Sequence, residues 1–372
     1  MAFSDLVKLK LRELEEPRFD ATLSGAHARM PQQISPGYNL FDGQLIDLQG
    51  NSWKQWRSRY LGLLLPDGRY VAQAYYESCK WGMYTFDDQV IWEQDFPIHH
   101  DIVYTSRGTI ITLTKEMHVY KGRKVDFCAV VEFDLQGRQI ARWSTWENLK
   151  YLQSLHYPLE LDRPRIFLWP EAAKRKGATP WGGNYDYYRL NSFQLLPRNA
   201  LGTHDPRFRE GNWLVSFRHG SMIFIMDQVT KKVVWKCIAD DIPDGLQGQH
   251  APTMLPSGRI LVFENGRYRG WSRVIELDPR AMRITWEYRA DGFFTLSQGY
   301  VQRFPNGNTL VTESERGRSF EITSAGEIVW EYYHPQRQDV ANSMHPESFG
   351  RRQWIYRMVR YAPCFIESFL KK

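Results

Sequence analysis

The sequence predicts an all-β fold, a six-bladed β-propeller with four-stranded antiparallel blades, one helical and loop insertion and short helical termini. Three observations carry this expectation. A hairpin unit ending in tryptophan recurs six times. A second hairpin unit, built on a Pro-x-Gly-like turn, sits between the copies of the first. Trp and Tyr are abundant while long apolar helical runs are missing, and aromatic side chains favour pleated, half-buried surfaces.

The first unit is an apolar strand, often an Asp, a short turn and a strand carrying Trp. It reads LIDLQGNSWKQW (45–56), TFDDQVIWEQ (85–94), VVEFDLQGRQIARW (130–143), IFIMDQVTKKVVW (223–235), VIELDPRAMRITW (274–286) and SFEITSAGEIVW (319–330). The second reads LLLPDGRYVAQ (63–73), VYTSRGTIITLT (103–114), TMLPSGRILVF (253–263) and QRFPNGNTLVT (302–312), with a stretched version over 195–217. Apolar and polar residues alternating around turn chemistry are the hairpin signal. Two hairpins make a four-stranded sheet with two apolar faces, and radial stacking buries both. Six tryptophan units against five turn units predict one blade closed by strands from both chain ends. The interval from Trp143 to Trp235 exceeds one blade, so 146–190 reads as an insertion: a short helix (ENLKYLQSL), an aromatic loop (WGGNYDYY) and a candidate lid. The expected organisation is an N-terminal helix and loop over 1–38, the propeller over 39–335, and a basic amphipathic segment over 336–372 packed on it.

Hydrophobic residues make up 42% of the 372, enough for a large core without disulfides or structural metal. No apolar stretch is long enough for a membrane helix. Met1 to Pro17 is charged and amphipathic and lacks the apolar core of a secretory signal. Cys79, Cys128, Cys237 and Cys364 have no metal-ligand spacing. Together these predict a reduced, cytoplasmic protein. The net charge is +6, yet 351–372 holds six basic residues against Glu367 and accounts for +5. The body is near neutral, so no nucleic-acid partner is expected. Apolar pairs at helical spacing in 351–372 allow peripheral contact with an anionic membrane, but packing on the propeller is the favoured reading.

With strands labelled A to D from the axis outward, the turn unit joins A to B. Aligning on its Pro position brings Tyr60, His100, Asn191, His250 and Gly299 to the start of strand A, and Lys115, Arg218, Asn265 and Ser314 to the end of strand B. Those positions share one rim of the channel. A lone histidine in a strand is usually structural, and Asn265 before Gly266 is first of all a turn. Several polar residues at equivalent positions near an axis instead predict a pocket. A metal is not expected, because only two axial imidazoles are supplied and a cation beside Arg218 would be repelled. Serine elbows and phosphate loops are absent. What remains is an anion pocket with a nucleophilic or basic imidazole.

The same segments resemble the arylsulfotransferase (aryl-sulfate sulfotransferase) family. The matching blocks are HHD (99–101), NS (191–192), SFRHGS (216–221), GQHAPTMLPSGRILVFENG (248–266) and RFPNGNTLVTES (303–314). The resemblance implies a six-bladed propeller that moves a sulfuryl group between phenols without a nucleotide donor or other cofactor, through a transiently sulfated histidine. By that match His250 is the nucleophile. His100 contacts the sulfuryl oxygens or serves the phenol proton, and Asn191 and Arg218 hold the same oxygens. The ligand is then an aromatic or phenolic small molecule, with His99, Arg189, Asn265, Tyr60 and Tyr188 as further binding residues. One departure stands out: Arg189 occupies a position where the family carries a histidine. The alternative is a propeller that binds an anionic aromatic molecule or a partner protein at the same rim without this chemistry.

Overall fold

The computed structural model describes residues 22–57, 61–73, 79–157, 159, 161, 167–168, 185–337 and 351–370. Six antiparallel sheets are arranged as blades. Blade 2 runs Gly62–Leu64, Tyr70–Gln73, Lys80–Tyr84 and Val90–Asp95 from strand A to strand D. Blade 4 runs Leu190–Leu195, Trp213–Phe217, Met222–Met226 and Val233–Cys237. Blade 5 runs His250–Met254, Ile260–Glu264, Arg273–Asp278 and Arg283–Tyr288. Strands A to C of these blades are largely buried, and the apolar clusters lie between neighbouring sheets. That is the radial burial the repeat requires.

The ring closes twice. Blade 1 takes its axial strand from the C-terminus: Val359–Tyr361 pairs with Tyr38–Phe41, followed by Gln44–Ile46 and Ser52–Gln55. Blade 6 (Tyr300–Arg303, Thr309–Glu313, Arg318–Ile322, Ile328–Tyr333) gains Gly25–Ala28 as a fifth strand on its outer edge. Residues 336–372 are therefore not only a segment on the outside. Their strand supplies the innermost edge of a blade, and among the described residues of this segment Pro363–Leu370 alone is helical. Apolar pairs that fit a helix also fit a buried edge over so few residues, and here tertiary pairing decides. The N-terminal helix expected over 1–38 falls mostly outside the described residues. From 22 onward that segment is strand, a short 3-10 turn over Pro31–Gln33, and the start of blade 1.

The six tryptophans fall into two classes. In blades 2, 4, 5 and 6 the indole N–H of Trp92, Trp235, Trp286 and Trp330 donates to a carbonyl in the C–D turn of the next blade (Leu135, Pro279, Ser324 and Leu48) at 2.7–2.9 Å. Each is the first D-strand residue paired beyond the bulge. Trp56 and Trp143 stand two residues further along and point to the same face. Their indole nitrogens are buried without a partner among the described residues.

Blade 3 departs from the others. Its middle strands, Ile110–Tyr120 and Arg123–Phe133, are eleven residues each and rise beyond the ring, between His99–Tyr104 and Gln139–Ser144. The insertion supports that extension. Tyr185–Asp186 pairs in parallel with Val125–Asp126, Phe167–Leu168 pairs with Tyr185–Asp186, and the helix Leu149–Gln153 buries Leu149 and Leu152 in the core. Most of the loop read as a lid lies outside the described residues.

Candidate functional site

Strand A begins irregularly in blades 3, 4 and 5. Pairing with strand B shifts register at Thr112/Leu113, Leu190/Ser192 and His250/Thr253. His100 (φ 62°), Arg189 (φ 50°) and Ala251 (φ 49°) adopt left-handed backbone there. Such residues cost roughly 1–3 kcal/mol each and persist only where their surroundings hold them. The bulges open the ladder at the axis and bring polar side chains together at one end of the channel.

His100 and His250 face each other, ring centroids 6.4 Å apart and nearly parallel. His250 Nδ1 lies 2.6 Å from Asn265 Oδ1 and 3.1 Å from the Gly248 carbonyl, both acceptors. The amide orientation follows from its other end, since Asn265 Nδ2 donates to the Thr295 and Gln298 carbonyls at 2.9 Å. Nδ1 must therefore carry the proton, which leaves a lone pair on Nε2. Burial, Arg218 and Arg189 hold the His250 pKa well below its ordinary value despite the Asn265 bond, so the ring is neutral. Gln249 anchors this strand to blade 4, donating to Ser216 Oγ and to the Phe217 and Met222 carbonyls at 3.0–3.2 Å. Its own carbonyl accepts from Asn191 Nδ2 at 2.7 Å.

His100 is also neutral, its pKa lowered by burial, His99 and Arg189. Its Nδ1 lies 2.6 Å from His99 Nδ1, so one ring donates and the other accepts. Depending on which holds that proton, His100 offers an N–H or a lone pair at Nε2. Burial first, then Lys115, pushes His99 down to about 3.

Arg218 and Asn191 reach the same space. Arg218 is 4% exposed and makes one side-chain hydrogen bond, to the Leu296 carbonyl at 3.2 Å; its Nε has no partner among the described residues. Burial, Arg267 and Arg189 all disfavour its charge. Arg189 pairs with Asp186 at 3.2 Å, and Asp186 also binds Lys115 in a fully buried pair. Burial would raise the Asp186 pKa, but Lys115 and Arg189 outweigh it and keep the carboxylate charged.

The sequence-predicted residues thus separate. The structure brings His100, Asn191, Arg218, His250 and Asn265 together at one mouth, with His99 and Arg189 behind them. Tyr188 does not belong there: it has no exposed surface, packs against Tyr187 and Phe217, and meets His156 through its hydroxyl. Its neighbours in sequence reach the rim, but its own ring points into the seam between blades 3 and 4. Tyr60 lies outside the described residues.

Four contributors were missed. Arg357, two residues before the closing strand, donates to the His100 carbonyl at 2.9 Å and pairs with Asp101 at 2.6 Å. Asp101 also accepts from the Phe193 N–H at 2.8 Å, tying blade 3 to blade 4. Glu315 accepts from the Leu296 and Ser297 N–H groups and from Ser297 Oγ, so it holds the loop whose carbonyls orient Asn265; burial raises its pKa to about 7. Arg267 stands beside Arg218. Asp101 and Glu315 carried a signal, since each follows an aligned residue, His100 and Ser314, and Asp101 closes the HHD block. Among the described residues around the two histidines, the cations Lys115, Arg189, Arg218, Arg267 and Arg357 outnumber the carboxylates Asp101, Asp186 and Glu315. The mouth therefore carries an excess of positive charge.

Fold and site together define a six-bladed propeller with a polar, cation-rich mouth on its axis, built around a neutral histidine with an available lone pair. The chain belongs to the arylsulfotransferase (ASST) family, whose model matches residues 78–335. The family is one of transferases. No curated protein matches the sequence. Among solved structures, a protein of unknown function from Bacteroides caccae is 13% identical with a TM-score of 0.46, covering 88% of this chain and 99% of that one. A catalytically inactive virginiamycin B lyase from Staphylococcus aureus with quinupristin is 12% identical with a TM-score of 0.42, covering 78% and 76%. Likenesses at this level carry no argument about this chain.

Proposed function

We propose that the protein moves a sulfuryl group from an aryl sulfate to a phenolic acceptor through a transient sulfohistidine at His250, with no nucleotide donor and no cofactor. The observation that carries this reading is the state of His250, neutral and with Nδ1–H committed to Asn265, beside a buried guanidinium that lacks an anion. In the first step the Nε2 lone pair attacks sulfur. The N–S bond forms as the bond from sulfur to the aryl oxygen breaks, and phenolate leaves with the electron pair. In the second step the acceptor oxygen attacks sulfur, the N–S bond returns its pair to Nε2, and the phenol proton passes to His100. Splitting one displacement into two is the benefit of the covalent route. Arg218 offers a planar fork to the equatorial oxygens, and the second amide hydrogen of Asn191 joins it; fixed donors of this kind lower the barrier as negative charge spreads.

Intact-mass spectrometry after exposure to p-nitrophenyl sulfate tests the reading. The expected result is one sulfuryl adduct with matching release of p-nitrophenol, and neither in His250→Ala. Full-rate transfer by His250→Ala would sink it. A second reading, an anion-binding propeller without turnover, is favoured by Arg189, because a guanidinium cannot exchange protons near neutral pH as the family's histidine can. Thermal stabilisation by an aryl sulfate with no adduct and no released phenol would select that alternative.

A further inference from the structure

We propose that Arg267 and Tyr268, on the loop joining strands B and C of blade 5, form a second anion subsite at the lip of the mouth that takes a carboxylate carried by the aromatic substrate. The inference rests on the sulfotransfer reading for what enters the pocket. It deepens that reading by naming the substrate class, aryl sulfates and phenols with a ring carboxylate.

The loop carries arginines in two states. Arg269 donates to the Trp271 and Asp244 carbonyls and pairs with Glu264. Arg273, at the start of the next strand, also binds Glu264 and donates to the Pro243 and Gly245 carbonyls. Arg267 makes no side-chain hydrogen bond or ion pair among the described residues, and its Nε is buried without an acceptor. Its sole recorded side-chain neighbour of this kind is the Tyr268 ring, 5.1 Å from the guanidinium carbon.

Arg267 also stands close to Arg218. A Cβ added at Gly248 would lie 3.2 Å from Arg267 Cδ and 3.9 Å from Arg218 Cγ, so both side chains cross the same glycine. Gly248 has φ +73°, a backbone that favours glycine, and a Cβ there would press on Arg267 while just touching Arg218. Burial and Arg189 disfavour the charge on Arg267, and Arg267 in turn disfavours that on Arg218. Arg218 is buried and Arg267 half-buried, both are short of acceptors, and an anion reaching the pair would relieve their mutual repulsion.

A sulfate monoester brings one negative charge, which Arg218 and Asn191 can engage. It leaves Arg267 unanswered. A carboxylate on the same ring would meet that guanidinium as a planar, bidentate partner. Tyr268 is 42% exposed and adjoins it, giving the ring a flat face to lie on.

The test compares kcat/KM for 4-carboxyphenyl sulfate and phenyl sulfate in the wild type and in Arg267→Gln. In parallel, calorimetry without donor measures the affinity of 4-hydroxybenzoate and phenol. The wild type is expected to prefer the carboxylated member of each pair by about tenfold to a hundredfold, the range of one charge-assisted hydrogen bond. In Arg267→Gln both ratios fall toward one. A ratio near one in the wild type overturns the proposal, as does a preference that survives the substitution. If neither sulfate turns over while the binding preference appears and depends on Arg267, the sulfotransfer reading fails and the subsite stands.

Discussion

Two buried arginine clusters in this propeller are built to opposite ends. At the seam between blades 1 and 6, Arg360 donates to Asn39 Oδ1 at 2.8 Å and the Ser35 carbonyl at 2.9 Å and pairs with Glu321, whose carboxylate also accepts from the Ser35 N–H and from Asn308. At the mouth, Arg218 has one carbonyl and Arg267 has none. Arg360 and Arg218 are buried and Arg267 is half-buried. The seam answers its charge from within the chain, and the mouth leaves its charge for something that arrives. Paired burial therefore marks structure, and unpaired burial marks a site.

The largest expected effect separates the two through acidity. His99, His100, His219 and His250 at the mouth, and His334 beyond blade 6, all have pKa values depressed by burial, to about 3 for His99 and about 4 for His334. Above pH ~6.5 the unfolded chain is also neutral at these rings and the folded state bears no penalty. Below it the unfolded state takes up protons that the folded state refuses. Stability should then fall by about 1.4 kcal/mol per pH unit for each histidine, several kcal/mol in total by pH ~5. Urea midpoints at pH 7.5 and 5 measure this, and equal midpoints would contradict the neutral mouth. Next, Arg360→Ala should cost about 3–5 kcal/mol of stability, because it leaves Glu321 buried and unpaired. Arg218→Ala should do the reverse, lowering kcat/KM about 10²- to 10³-fold while the melting temperature holds or rises. Should Arg218→Ala melt early, the contrast between seam and mouth would fail. The smallest effect concerns the tryptophans: Trp235→Phe should cost about 1 kcal/mol more than Trp143→Phe, since only Trp235 loses a hydrogen bond to the next blade. Denaturant titration of the pair reads the difference directly.

Much of this was legible beforehand because propeller repeats impose register. The turn alignment brought His100, Asn191, Arg218, His250 and Asn265 to one rim without any coordinates. It could not reveal Arg357, because the strand that follows has no turn signal and its apolar pairs suit a helix as well. Nor could it reveal that His99 stands behind His100 rather than beside it, since the bulge in blade 3 takes up residues that pairing alone would place elsewhere. Tyr188 was misread for a related reason. It sits in the bend between Tyr185–Asp186 and Leu190–Leu195, where the left-handed Arg189 turns the chain, so a position near the rim does not put its ring on the channel. The tryptophan repeat hid its own split, because a shift of two residues keeps the face and changes only what the indole can reach.

The closing strand has a bearing on how the enzyme comes into being. Arg357, which clamps the His100 carbonyl and Asp101, belongs to the segment that leads into Val359–Tyr361. During synthesis on the ribosome, blades 2 to 6 and three strands of blade 1 can emerge before that segment does. The nascent chain would then carry His250 and Arg218, yet lack the tie that fixes the opposing imidazole of His100. The mouth is thus fully tied only once Val359–Tyr361 has paired, and a chain cut before Arg357 would lack the clamp on the His100 carbonyl and Asp101.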